Sequence, residues 1–166
     1  MRLTNRKAQQ TMSMPFGMIF SILLIIVFVV AAFMAVRFFL DIGGSSKTGL
    51  FYEDLQNSVN DAWREQSSSF SFDIDLPGDI EMVCFANLTE PRTGPYAELY
   101  SDFRYYKNED VNVFLYPPAN AEELARNRIE HINLAEIISV ENPHCVSATG
   151  ELRIKKDFYG KLVIIE

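Results

Sequence analysis

Charge is missing from one long stretch of this chain: between Ala8 and Val36 no residue is charged, and Met14 to Val36 (MPFGMIFSILLIIVFVVAAFMAV) is almost wholly apolar. That excludes a solvated surface helix. The 23 residues of that run, as a helix, would reach roughly 34 Å at about 1.5 Å each, enough to cross a hydrocarbon core of about 30 Å. A helix satisfies its own backbone hydrogen bonds and so can sit in lipid. Histidine is scarce too: His131 and His144 are the only two. Neither lies in an H-E-x-x-H arrangement, and His144-Cys145 is adjacency without metal-ligand spacing. Ser67-Ser68-Ser69 has no G-x-S-x-G context. Asp73, Asp75 and Asp79 lack the dense oxygen-ligand spacing of a calcium loop and read as solvated acids. Internal repeats and low-complexity tracts are absent. With these signatures missing, no catalytic residue, metal or cofactor is assigned, and the chain does not read as an enzyme.

What is present gives the span a direction. Arg2, Arg6 and Lys7 precede it with no acid among them, whereas Arg37 on the far side is balanced by Asp41. The positive-inside rule then places residues 1–13 in the cytoplasm as a basic leader, residues 14–40 in the cell membrane and the remainder outside. A cleaved signal peptide, cut before Phe33 behind the small residues Val30 and Ala32, is the competing reading. The apolar run exceeds the usual signal core of about 7 to 15 residues, which favours an uncleaved single-pass anchor. Ser21 and Ala31-Ala32-x-x-Ala35 are small residues that would let two spans approach closely. Charge divides at the same place: residues 1–47 carry a net +4 and residues 48–166 a net −11, together the chain's −7. So acidic a domain repels phosphate backbones, which disfavours nucleic acid as a partner. The partners expected are the lipid bilayer and other membrane or envelope proteins.

Gly43-Gly44-Ser45-Ser46 predicts a flexible hinge within residues 41–47, followed by one domain over residues 48–166. Thr48 is placed to cap a helix in which Phe51, Leu55, Val59 and Ala62 with Trp63 recur at helical spacing through Gln66. From Ser69 the period becomes two, predicting a strand through Leu76, and Pro77-Gly78-Asp79 turns into a second strand, Ile80 to Phe85, as its hairpin partner. Tyr96, Tyr100 and Phe103 predict a short helix from Pro95. Asn112 to Tyr116 reads as a strand ended by Pro117-Pro118, Asn120 as the cap of a helix through Asn127, and Ile132 to Val140 as another strand. Glu151 to Lys156 and Lys161 to Ile165 close the chain as a hairpin. The expected fold is α+β: a transmembrane helix, a hinge, then a small, mostly antiparallel sheet packed with one or more helices.

Three groups of residues stand out as candidates. Cys84 and Cys145 form an even pair in a segment expected to be oxidising, which points to a disulfide whose loop closure stabilises the fold by roughly 4 kcal/mol. Asn87-Leu88-Thr89 matches the glycan acceptor pattern in the loop after the second strand. Tyr105 and Tyr106, beside Lys107-Asn108-Glu109-Asp110, are candidates for an exposed partner contact, because tyrosine joins an apolar body to a polar tip.

Arg6-Lys7-Ala8-Gln9-Gln10, the long apolar helix and an α+β head with a cysteine pair together resemble the type IV pilin-like proteins. That resemblance implies trimming of the leader by a prepilin peptidase and assembly of the helix into a filament. The chain departs from the pattern in having no acid from Gln9 to Ser13 and in its Gly43-Gly44 pair. Pro15-Phe16-Gly17-Met18-Ile19-Phe20-Ser21, Gly49-Leu50-Phe51 and Asn142-Pro143-His144-Cys145 are similar to segments of uncharacterised single-pass membrane proteins of archaea, a group that implies no activity. The expected role is therefore an extracytoplasmic interaction or envelope-structural protein held by a signal-anchor. A pilin-like subunit is the nearer alternative. A membrane-tethered enzyme around His131 and Glu130 is the further one, although strand alternation would put those two on opposite faces.

Overall fold

The computed structural model describes residues 13–166, so Arg2, Arg6 and Lys7 and their part in orientation lie outside the described residues. The chain divides after Ile42 into two compact units. The first holds the beginning of helix α1 (Ser13–Arg64), which is long and apolar enough to cross a membrane, with none of its most apolar stretch buried. The second, Gly43–Glu166, is an α+β domain built on the remainder of that helix.

Gly43 to Ser46 do not form the expected hinge; their backbone is helical and lies inside α1. Two glycines each weaken a helix by about 1 kcal/mol relative to alanine, but propagation from both sides and the absence of proline carry it through. Thr48 is consequently an interior residue rather than a cap. It is buried, and its hydroxyl donates to the Gly44 carbonyl at 3.2 Å. The helix ends at Arg64, where Lys156 Nζ donates to the carbonyls of Trp63 and Glu65 at 2.6 and 2.7 Å, a cation where helix carbonyls are left over.

Strands β1 (Ser68–Asp73) and β2 (Met82–Phe85) follow, then the short helix α2 (Tyr100–Phe103), β3 (Val113–Tyr116), α3 (Pro118–Ala121), β4 (Arg126–Asn127), α4 (Leu134–Ile137), β5 (His144–Ser147), β6 (Glu151–Lys156) and β7 (Ile164–Ile165). They form two antiparallel sheets, ordered β1-β6-β7 and β4-β3-β2-β5. The expected β1–β2 hairpin is therefore replaced by long-range pairing: β1 runs against β6, and β2 lies between β3 and β5. The closing β6–β7 hairpin forms with Ile154 opposite Ile165.

Two further expectations are overturned by local chemistry. Residues 132–140 hold α4 instead of a strand, because Asn133 Oδ1 accepts from the Glu136 amide and its Nδ2 donates to the Glu136 carboxylate, a capping arrangement. The helix expected from Asn120 to Asn127 is cut short, since Glu122 takes a left-handed backbone (φ 49°) and Arg126–Asn127 pair with β3. Asn120 lies within α3, and its amide donates to the Asp79 carbonyl at 2.8 Å.

The core has two parts because β2 and β3 are buried on both faces. Phe51, Leu55 and Val59 of α1 pack with Val83, Phe85, Val113 and Leu115 and with Leu152 and Ile154 of β6. On the other face Cys84, Phe103 and Phe114 pack with Cys145 and Leu88, covered by α2 and Tyr100. Tyr52 joins helix to sheet: its hydroxyl donates to the Leu124 carbonyl at 3.0 Å, and burial pushes the phenol above its usual range, against a smaller opposing pull from Arg126. In the unfolded chain the phenol ionises near pH 10, whereas the folded state resists ionisation, so stability falls as pH rises past about 10 by up to about 1.4 kcal/mol per unit. Replacing Tyr52 by Phe should lower stability near pH 7 by about 1 kcal/mol and flatten that alkaline fall. Urea titrations at pH 7 and above pH 10 check both signs.

Candidate functional site

A cleft of about 530 Å³ opens between the loop after β2 (Asn87, Thr89), the approach to β3 (Glu109 to Asn112) and the segment after β4 (Arg128 to Ile132). Its floor rests on Asn112. This buried side chain donates to the Ile129 carbonyl and accepts from the Ile129 amide, both at 2.8 Å, so it extends the β3–β4 ladder where no strand residue could. Charge lines the walls: Arg128 is bridged to Asp110 across the cleft lining, and Glu109 accepts from Arg126, which stands behind the wall. Arg126 also lies over the Tyr106 ring, 4.3 Å from its centroid, and its bond to Glu109 raises the guanidinium above the usual arginine range.

His131 forms one end of the cleft in a left-handed backbone conformation (φ 65°). Its ring stacks on Trp63 at 3.9 Å and 8°, and the nearest Glu130 carboxylate oxygen is 4.0 Å away. Glu130 and His131 thus lie in a turn rather than on opposite faces of a strand. Trp63 Nε1 donates to the Lys161 carbonyl at 3.2 Å, which fixes the indole beneath the histidine.

Asn87, the glycan candidate, is on the cleft wall. Its Oδ1 accepts from the Thr89 amide and hydroxyl at 3.0 and 2.7 Å, and its Nδ2 donates to Glu90 Oε1 at 3.0 Å. The loop is held by Asn142, a buried side chain whose Oδ1 accepts from Asn87 N and whose Nδ2 donates to the carbonyls of Asn87 and Pro91. Cys84 and Cys145 are opposite one another on β2 and β5, with Cα atoms 4.0 Å apart, and are joined as a disulfide. The adjacent His144 pairs through Nδ1 with Glu141 at 2.7 Å.

The two tyrosine candidates have different surroundings. Tyr105 is exposed, whereas Tyr106 packs against Phe114 with ring centroids 6.3 Å apart and carries Arg126 on its outer face. Asp75 is engaged by Lys47 at 3.0 Å. Among the described residues no three His, Cys, Asp or Glu side chains converge as a metal site. Chemically the cleft offers hydrogen-bonding amides, a hydroxyl and arginine–carboxylate pairs, which suit recognition of a polar group. In the sequence Asn112 reads only as the start of a strand and Asn142 only as part of a resembling segment, neither with a bonding role. For Asn112 the available signal was an asparagine between apolar residues, Val111 and Val113, and only the fold shows which backbone groups each asparagine completes. No protein-family model, curated protein sequence or solved structure matches the chain.

Proposed function

We propose that this chain is a single-pass membrane protein that displays its 43–166 unit outside the cell, where the unit works as an interaction or envelope-structural module. The observation that carries the reading is the wholly exposed apolar stretch of α1, which is soluble only in lipid, followed by an acidic unit braced by a disulfide. Disulfides persist in oxidising compartments, in agreement with an extracytoplasmic location. The cleft beside Asn87 and the exposed Tyr105 are the surfaces proposed for partners among membrane and envelope proteins; nucleic acid is disfavoured by the charge. Asn87 is the proposed glycan acceptor, and a mass shift abolished by Asn87→Gln tests it. Protease added to whole cells should digest the 43–166 unit. Digestion only after lysis would reverse the topology and remove the proposed role.

A type IV pilin-like subunit is the second reading, and one observation favours it: the helical backbone of Gly43 to Ser46 removes the interruption that had set this chain apart from that pattern. Its test is the N-terminus. Protein recovered from membranes with residues 1–7 intact argues for the plain anchor, and loss of the leader argues for a processed subunit.

A further inference from the structure

Two surfaces at opposite ends of the 43–166 unit complement one another. At one end, the turn between β6 and β7 presents Phe158 and Tyr159, 61% and 94% exposed, their rings edge to face at 5.1 Å and otherwise turned to solvent. Residues 153–161 carry a net +3 in a unit of net −10. This turn is attached to the end of α1 through Trp63 and Lys161. At the other end, near Gly43 where the unit begins, a groove of about 150 Å³ has an apolar floor of Leu50, Phe51 and Phe72 and an acidic rim of Asp54, Asp73 and Asp75. Lys47 answers only Asp75, and Leu50 is 57% exposed.

We infer that the Phe158-Tyr159 turn of one copy seats in the Leu50–Phe72 groove of the next, joining the domains head to tail. The occupant is a second copy because apolar area and charge match on both sides: aromatic rings meet an apolar lining, while Lys161 faces Asp54 and Asp73, Lys155 being already paired with Asp157 at 3.5 Å within the turn. Knob and groove are different surfaces, thirteen residues apart along α1 from Leu50 to Trp63, roughly 20 Å by helix rise. The contact is therefore heterologous, and a heterologous contact that does not close makes an open chain. One turn in one groove is a small interface, weak singly and strengthened by repetition. The inference deepens the structural-assembly reading above and rests on it.

The experiment mixes two full-length variants in detergent micelles and follows mass by sedimentation as protein concentration rises. Phe158→Ser with Tyr159→Ser removes the knob; Asp54→Lys with Asp73→Lys reverses the rim. All four positions are exposed, so folding is expected to persist, and Trp63 fluorescence checks it. Wild type should form dimers and longer chains, weakened by added salt. Each variant alone should associate at least roughly tenfold more weakly. Their equimolar mixture should recover dimers but nothing longer, since one intact knob and one intact groove remain per pair. Variants that assemble like wild type, or a mixture that stays monomeric, overturn the knob-in-groove contact while leaving assembly through another surface standing. Wild type that is monomeric throughout overturns the contact and the assembly reading together.

Discussion

Replacing both Cys84 and Cys145 by alanine should lower the stability of the 43–166 unit by about 4 kcal/mol, the largest effect expected of any pair of substitutions here. The bond closes a loop of sequence separation 61, and in the chain-entropy account a loop of that size restricts the unfolded ensemble by about that amount. Its position adds to the effect. Cys84 is completely buried in the cluster that holds Phe103 and Phe114, so truncation also leaves unfilled space in the second core. A small domain has a margin of only about 5–15 kcal/mol, so the variant should be close to unfolding at elevated temperature. Urea titration of the full chain in detergent, followed by the fluorescence of Trp63, measures it. That residue is the only tryptophan and is stacked on His131 inside the unit. A reducing agent should move the wild-type midpoint in the same direction and leave the double variant unchanged. A shift below about 1 kcal/mol in the double variant would mean that the native protein does not depend on the bond.

Alanine at Asn112 should cost about 3 kcal/mol although it deletes only a small side chain. The Ile129 amide and carbonyl both lose their partner in a residue that is 1% exposed. A buried backbone group left unpaired costs about 1–3 kcal/mol, and two are left here. Asn112→Asp should not rescue the loss. An aspartate can still accept from the Ile129 amide, but its second oxygen then opposes the Ile129 carbonyl, acceptor against acceptor. Hydrogen exchange at Ile129 gives the local readout: protection should fall in both variants before the far sheet, β1-β6-β7, is affected. Because Asn112 also lines the cleft beside Glu109 and Asp110, the same variant should loosen that wall. Retained protection at Ile129 in the alanine variant would contradict the bonding scheme.

The parts of the fold legible in the sequence were those governed by local periodicity. The apolar run needed no tertiary partner to be recognised, and the stripe Phe51, Leu55, Val59 and Ala62 lies buried as its spacing predicts. β3 and β6 are strands as expected, β6 alternating and β3 buried on both faces, and the chain closes on the β6–β7 hairpin. The errors share a cause. Gly43 to Ser46 read as a hinge because glycine and serine are weak helix formers, yet neighbouring turns on both sides propagate through them. Ile132 to Val140 read as a strand because its apolar residues outweighed the Asn133-x-x-Glu136 cap. Phe70 and Phe72 gave a correct strand with an incorrect partner, since alternation states which face is apolar and not which chain segment lies alongside. Tyr105 and Tyr106 were equivalent in sequence, and only the packing of Phe114 and Arg126 separated the exposed ring from the covered one.

By itself the sequence determined which part of the chain is long and apolar enough to cross a membrane, where its charge changes sign, and that an amphipathic helix and alternating strands follow. These are properties of composition and short-range spacing, and hydration acts on them residue by residue. Only the tertiary structure decided that β2 stands between β3 and β5, that Asn112 and Asn142 complete distant backbone groups, and that a basic aromatic turn and an acid-rimmed groove occupy opposite ends of one domain. Those placements depend on contacts between residues tens of positions apart, where burial and hydrogen-bond satisfaction of the whole domain outweigh what any short segment prefers.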